Sequence, residues 1–168
     1  MATVQEIIRR KVGFFDYNDL TTATTPISVT GGGGYVDLTN DGAGSFTNLT
    51  YKPTSMTTIY NTTTDLFDWS ELALGDELQI RLDVEVVTSS VNTEFDIQLL
   101  LANGGSSYGI SWVNPVDVKS ASTNPFIIWN GIYMGDANTL NNTAKFQMKA
   151  DKTCTVKVNG WYVSVHRR

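Results

Sequence analysis

Hydrophobic and polar residues alternate strictly along the middle of the chain. Between residues 77 and 86 every second residue is aliphatic, and the residues between them are charged or are glutamine. The same period of two returns in residues 94–101, after a six-residue polar stretch at 88–93. This alternation predicts two strands that each bury one face and expose the other, joined as a hairpin. Such a hairpin cannot bury its apolar face alone, so other strands must cover it.

Shorter apolar or alternating runs, separated by turn residues, occupy most of the remaining chain. Asn130–Gly131 and Asn159–Gly160 are the dipeptides that most strongly indicate hairpin turns. About ten short strands result, with turns every 8–12 residues and no helix after the N-terminal segment. With 168 residues and 41% hydrophobic content, the chain fits one domain with a sizeable core. We therefore predict an all-β fold, an antiparallel two-sheet jelly-roll sandwich over residues 26–168.

The first 25 residues have a different pattern. Thr3 and Glu6 have the spacing of a helix capping box, and the basic residues that follow suit the C-terminal end of a helix. A two-turn helix is not stable alone in water, so it must pack on something. We predict a short helical or extended docking arm over residues 1–25; the alternative is a helix across the open end of its own domain. The candidate docking residues are Val4, Ile7, Ile8, Arg9, Arg10, Lys11, Phe14 and Phe15.

Charge is sparse and unevenly placed. Charged residues make up 17% of the chain and the net charge is −5, which argues against a nucleic-acid partner. Five of the twelve basic residues lie at the two chain ends, in residues 9–11 and 167–168. This predicts docking to an acidic partner surface, or simply solvated termini. No long apolar run is present, so we expect neither a signal peptide nor a membrane partner, and synthesis in a cytosol.

The residue types needed for catalysis are scarce. His166 is the only histidine, so no Ser-His-Asp arrangement and no zinc site of the usual kind can be assembled. Cys154 is the only cysteine and is expected to be a buried structural thiol. Asp83, Glu85 and Asp96 are candidates for a carboxylate pair if their strands place them opposite each other, although a solvated face explains them equally well. We predict no enzymatic activity and no cofactor.

Two neighbouring aspartates are candidates for a metal site. Asp65 and Asp68 flank a short apolar run in a turn-rich stretch. Two loop carboxylates this close are candidates for a calcium site, but they also suit capping of local backbone N–H groups. The capping interpretation is favoured, so no metal is predicted.

Four aromatic residues cluster in the second half of the chain, near two asparagines. Aromatic and amide side chains at the edge of a sandwich suit stacking on sugar rings, or an interface between copies of the chain. Core packing explains large aromatics equally well, and about two of the four are expected to be buried. The four residues are Tyr108, Trp112, Trp129 and Tyr133.

Three segments carry a resemblance to a known class of protein. They read FDWSELALGDELQIRLDVEVVT, NTEFDIQLLL and FQMKADKTCTVKVNGWYVSVHRR. Together with the Leu-Gly-Asp turn and the final Asn-Gly-Trp, they resemble small virion proteins of tailed bacteriophages over residues 46–168. The resemblance implies a fold similar to tumour necrosis factor and C1q heads, a jelly roll that assembles as a homotrimer.

Two kinds of virion protein share this pattern. Capsid decoration (cement) proteins bind the major capsid protein on the outside of the head and stabilise it, whereas fibre or spike heads bind a host receptor or glycan. The initial Met, the absence of a fibrous shaft and the amphipathic basic arm favour decoration, with the protein on the capsid surface. Under this hypothesis, a chain lacking residues 1–19 is expected to remain a folded trimer that no longer binds heads.

Overall fold

Two antiparallel β-sheets stack face to face, as predicted for an all-β sandwich. The computed structural model describes residues 3–5 and 11–168, apart from the side chains of residues 114 and 115. One-turn helices form at Thr21–Thr24 and Ala137–Leu140, and no helix within the described ranges is long and apolar enough to cross a membrane. The strands are β1 (Val12–Asn18), β2 (Ile27–Val29), β3 (Val36–Asp37), β4 (Tyr60–Asn61), β5 (Leu66–Phe67), β6 (Glu77–Thr88), β7 (Thr93–Asn103), β8 (Tyr108–Val118), β9 (Thr123–Tyr133), β10 (Thr143–Ala150) and β11 (Cys154–His166).

The strand order is that of a jelly roll. Sheet 1 has the order β1-β11-β6-β9, with β2 also paired to β11. Sheet 2 has the order β4-β5-β10-β7-β8, with β3 also paired to β10. From β6 onwards every connection except β7–β8 crosses from one sheet to the other, so neighbours in sequence face each other across the core.

The predicted hairpin between β6 and β7 is therefore wrong. β6 pairs with β9 and β11 in sheet 1, whereas β7 pairs with β8 and β10 in sheet 2. Residues 89–92 cross between the sheets, helped by Asn92, whose φ of 51° lies in the left-handed region that Asn tolerates. Both strands still bury their aliphatic faces, because the aliphatic face of β6 in sheet 1 and that of β7 in sheet 2 both point into the core between the sheets.

The two Asn-Gly turn predictions are also wrong. β9 runs straight through Gly131, where a Cβ would lie 2.7 Å from Nε2 of Gln79 on the neighbouring strand. β11 runs through Gly160 with a bulge opposite β6 between Val158 and Gly160. A Cβ at Gly160 would lie 2.5 Å from the carbonyl oxygen of Tyr17. Both glycines thus allow a close approach within a sheet rather than a chain reversal.

An aromatic cluster fills the core beside β1 and β5. Phe67 stacks on Trp69 with ring centroids 5.4 Å apart, and Trp161 packs against Tyr60 at 4.8 Å and Phe67 at 5.3 Å. Phe67, Trp69 and Trp161 are at most 1% exposed. Aromatic pairs of this kind stabilise a core beyond their area burial, by about 0.5–1.5 kcal/mol each.

The sandwich begins before the predicted boundary at residue 26. β1 pairs with β11 along its whole length, from Val12 opposite His166 to Asn18 opposite Gly160. The inward side chains of β1 are core residues, with Phe15 fully buried and Tyr17 2% exposed. Residues 12–18 directly follow the basic cluster, and the adjacent Phe14 and Phe15 obscure the alternation of a strand in the sequence. A docking role for the segment before Val12 stays a prediction.

Candidate functional site

A row of charged and aromatic side chains crosses the outer face of sheet 1. The cross-strand register places Asp16, Tyr162, Arg81 and Trp129 side by side on four neighbouring strands. The guanidinium carbon of Arg81 lies 5.7 Å from the ring centroids of both Trp129 and Tyr162. A cation over two aromatic faces holds both rings in place.

The row continues beyond β1 through a further aromatic pair. The ring of Phe14 lies between Tyr162, at a centroid distance of 5.1 Å, and Tyr51, at 5.4 Å. Phe14, one of the predicted arm residues, is half-buried in this stack. Its aromatic ring is therefore part of the outer face of sheet 1 in the folded chain.

Acidic groups beside the row are partly desolvated. Asp83 forms an ion pair of 3.0 Å with Arg81, and its side chain is 24% exposed. Burial raises the pKa of Asp83, and the positive charge of Arg81 offsets only part of that effect. Burial likewise raises the pKa of Asp16, at the β1 end of the row. Both carboxylates are thus less stable in their charged form than they are in water.

The raised pKa of Asp83 gives a pH-dependent stability effect. The pKa of this carboxyl is higher in the folded state than its usual value of 3.8. The free energy of unfolding therefore falls as pH rises from the usual pKa through the folded-state pKa. The substitution Asp83→Asn removes the ionisable carboxyl, and with it the loss of stability at higher pH. We therefore expect the free energy of unfolding of the variant, relative to wild type, to increase from about pH 3 to about pH 7. Urea denaturation at a series of pH values measures it, and a relative stability that falls with pH contradicts the assignment.

The outward face of β9 carries large apolar side chains that are exposed among the residues the structure describes. Ile127 is 70% exposed, Trp129 54% and Tyr133 68%. We call these three side chains the β9 ridge. They alternate with the inward residues of β9, which lies at the edge of sheet 1 and, among the described strands of that sheet, pairs with β6 alone. The sequence pattern singles out Trp129 and Tyr133 but not Ile127, because a continuous apolar run does not indicate which of its residues point outward.

The four predicted aromatics do not form one site. Trp112 is 7% exposed and packs edge-on against Phe146 in the core, with centroids 4.8 Å apart, so its prediction as a ligand or interface residue is wrong. Tyr108 and Tyr133 line a common cleft of about 270 Å³ between β8 and β9. Trp129 lies on the outer face of sheet 1 with Arg81.

The predicted arm residues also have different environments. Val4 is 74% exposed, and Lys11 is exposed. Phe15 is fully buried between the sheets and cannot reach a partner without opening the domain, so its prediction as a docking residue is wrong. The remaining arm candidates, Ile7, Ile8, Arg9 and Arg10, lie outside the described residues.

The two chain ends meet at one corner, held by a buried carboxylate. Asp76, 1% exposed, accepts hydrogen bonds from the backbone N–H of Ala73 (3.0 Å) and of Arg168 (3.0 Å). Its Oδ2 also lies 3.3 Å from Nε of Arg167. The Arg167 backbone N–H in turn donates to the carbonyl of Lys11 (2.8 Å). The Leu-Gly-Asp turn therefore anchors the C-terminal basic residues, which are not simply solvated.

The carboxylates considered for catalysis are separated by the sandwich. Asp83 and Glu85 lie on the outer face of sheet 1, where Glu85 pairs with Lys157 at 3.0 Å. Asp96 lies on sheet 2, paired with Lys149 at 3.1 Å. Asp96 would lie opposite Asp83 and Glu85 only if β6 and β7 formed a hairpin. Because they do not, the hypothesis of a catalytic carboxylate pair is wrong.

The other candidate reactive groups, two aspartates and the cysteine, have structural environments. Asp65 accepts from the Tyr60 hydroxyl (3.1 Å) and Asp68 from the backbone N–H of Ser70 (2.8 Å), in keeping with local capping. Cys154 is buried, and burial raises the pKa of its thiol. Within residues 3–5 and 11–168 no three His, Cys, Asp or Glu side chains are grouped so that they could hold a metal ion.

Comparison with known proteins gives a distant structural likeness. No family model matches the chain, and no curated protein matches it. It is similar to the VP2 subviral particle of infectious bursal disease virus, with a TM-score of 0.44 and 9% identity over 95% of this chain and 31% of that one. A structure of the Gx strain of the same virus is similar with a TM-score of 0.44 and 10% identity, over 94% of this chain and 36% of that one. The chain thus spans about a third of the length of these structures.

Proposed function

We propose that the chain is a structural virion protein, a homotrimeric decoration (cement) protein that binds the outside of a tailed-bacteriophage head and stabilises it. The observation that carries this proposal is the jelly-roll strand order. The segments that resemble phage virion proteins fold as β6, β7, β10 and β11, the inner strands of the two sheets. The chain thus has the general jelly-roll strand order that the resemblance leads one to expect, and this supports the proposal.

The proposed mechanism needs binding rather than chemistry. Three copies pack around a threefold axis, and the segment before Val12 extends from each copy onto the major capsid protein. Three linked arms raise the effective concentration of each binding event, so a modest affinity per arm gives stable attachment. Such a clamp across neighbouring subunits resists the outward pressure of packaged DNA.

The position of the arm's base supports this arrangement. Lys11 is tied to Arg167, and Asp76 fixes the C-terminal strand end, so the arm leaves the sandwich from a rigid corner. Arg9 and Arg10 directly precede that corner in the sequence. The concentration of positive charge on an otherwise acidic chain suits an acidic patch on the capsid surface.

A second function, binding of a host glycan by a fibre or spike head, is favoured by the cleft between β8 and β9. Two tyrosines, Tyr108 and Tyr133, line it together with Asp136, whose carboxylate also accepts hydrogen bonds from Thr139. Aromatic faces and carboxylate acceptors are groups that suit a sugar ring and its hydroxyls.

Competition for adsorption separates the two functions. An excess of purified chain is expected to leave the rate of phage adsorption to host cells unchanged, because a decoration protein does not contact the cell. If the chain slows adsorption, and Tyr133→Ala abolishes that inhibition, the receptor-binding function replaces the decoration function. Phe46→Ala, at a side chain that is 79% exposed outside the cleft, is the matched control.

A further inference from the structure

The β8–β9 side of the sandwich is an apolar surface that none of the other described residues covers. We infer that a second copy of this chain packs on it, with the β9 ridge at the centre of the contact. This inference rests on the proposed homotrimer and specifies which side of the domain faces the neighbouring copy.

The first observation is that β9 has large apolar side chains on both faces. Its inward residues Phe126, Ile128 and Ile132 pack toward the core, although Asn124 and Asn130 share that face, while the β9 ridge points outward. Antiparallel strands at a water-exposed face usually carry polar residues on their outward side. The neighbouring strand β6 has only charged residues and glutamine at the outward positions from Glu77 to Glu85. The exposed apolar residues are therefore specific to β9 and not a property of the whole sheet.

The second observation is that the core is incompletely closed on this side. Nine apolar residues of the described chain are only partly buried against the core, and five of them lie on β8 or β9. The opposite side of the core is closed by fully buried aromatics such as Phe67 and Trp69. Packing of another copy against the edges of β8 and β9 would complete the burial of the five residues, which are Ile110, Val113, Val116, Phe126 and Ile128.

The third observation, the charge distribution, identifies the occupant. Each chain has a net charge of −5, so two copies repel unless the contacting surfaces are uncharged. β9 contains no charged residue, and the one charged residue of β8, Asp117, pairs with Lys119. Exposed edge strands usually carry charges that prevent pairing with other chains, and β9 lacks them. The charged residues beside the ridge on β6 include Arg81 and Asp83, which pair with each other at 3.0 Å. Strands that are apolar and poor in charge have the composition found at the core of interfaces between copies of one chain.

The size and rigidity of the surface fit such a contact. Strands of 11 residues are about 35 Å long, and stacked sheets stand about 10 Å apart. With the β9 ridge included, the surface area of this side is of the order of the ~800 Å² that each partner contributes to a specific interface. Trp129 is already held against Arg81, so its side chain loses little conformational freedom when it is covered.

Sedimentation velocity of the full chain tests the inference. The wild type is expected to sediment as a trimer, and Ile127→Asp as a monomer, with at least a tenfold weaker association, since a carboxylate would be buried at the contact. Phe46→Asp places the same charge on a side chain that is 79% exposed outside the β8–β9 side, and is expected to remain trimeric. Circular dichroism verifies that each variant keeps its β-sheet spectrum.

The outcomes distinguish the inference from the function on which it rests. If Ile127→Asp associates like the wild type, the inference is overturned and the homotrimer stands. If the wild type is monomeric at all concentrations, both the inference and the homotrimer fail, while attachment to the virion is judged separately by labelling of particles. Should Ile127→Asp lose its sheet spectrum, Tyr133→Asp, on the same ridge, repeats the test and the same outcomes decide.

Discussion

A chain that lacks residues 1–19 is expected to be unfolded, whereas a chain that lacks residues 1–10 is expected to keep its fold. The sequence pattern alone predicts a folded trimer without residues 1–19, but the structure contradicts this prediction. The longer deletion removes β1, which pairs with β11 over seven residues and contributes Phe15 and Tyr17 to the core. Loss of each large aromatic costs about 3–5 kcal/mol, and a domain is stable by only about 5–15 kcal/mol. The shorter deletion ends before the first residue of the sheet.

Circular dichroism and urea denaturation of the two chains measure this difference. The chain without residues 1–10 serves as the matched control, because it loses Arg9 and Arg10 but keeps the whole of β1. A chain without residues 1–19 that unfolds cooperatively at the wild-type urea concentration would show that β1 is dispensable.

The same shorter deletion tests the proposed arm. The folded chain without residues 1–10 is expected to lose at least tenfold in affinity for phage heads, because the arm makes the proposed contacts to the capsid. Co-sedimentation with heads that lack the protein measures the affinity at constant ionic strength. Undiminished binding by the truncated chain would place the capsid contacts on the sandwich instead.

Asp76→Ala is expected to lower the free energy of unfolding by about 3 kcal/mol. Its carboxylate is 1% exposed and serves the backbone N–H groups of Ala73 and Arg168 as well as the Arg167 guanidinium. Alanine leaves these donors without their acceptor, and unpaired buried donors are costly. The two chain ends are then no longer held together at the corner from which the arm leaves.

Urea denaturation of Asp76→Ala and of Glu77→Ala provides the comparison. Glu77 is the next residue along the chain, but it is exposed, so its substitution is expected to change stability by less than about 0.5 kcal/mol. Equal effects of the two substitutions would contradict the role assigned to Asp76. A loss of head binding by folded Asp76→Ala would in addition connect the corner to attachment.

The sequence predicted strands better than it predicted their pairing. Alternation in β6, β7, β10 and β11 is set by burial of one face, and that face is buried whichever strand lies beside it. Pairing depends on which sheet a strand joins, and nothing in residues 88–93 distinguishes a hairpin turn from a crossing between sheets. The glycines at 131 and 160 have the same ambiguity, because a glycine in a tight turn cannot be told in sequence from one that makes room for a neighbouring group. That group is the Gln79 side chain at Gly131 and the Tyr17 backbone at Gly160.

The candidate site was only partly visible in the sequence for a similar reason. Trp129 and Tyr133 were identified as large aromatics in an apolar run, and both are exposed. The partners of Trp129, Arg81 and Tyr162, are 48 and 33 positions away and are brought to it only by the register of three strands. Phe15 shows the opposite error: its neighbours in sequence suggested an arm, but its partner strand lies at the other end of the chain.

Immunogold labelling of the source virions with antibody to this chain tests the central claim most directly. A decoration protein is expected to give gold particles spread over the whole head. Gold confined to a tail tip or to a single vertex would contradict decoration and support the receptor-binding function. Virions without any label would contradict a virion role altogether.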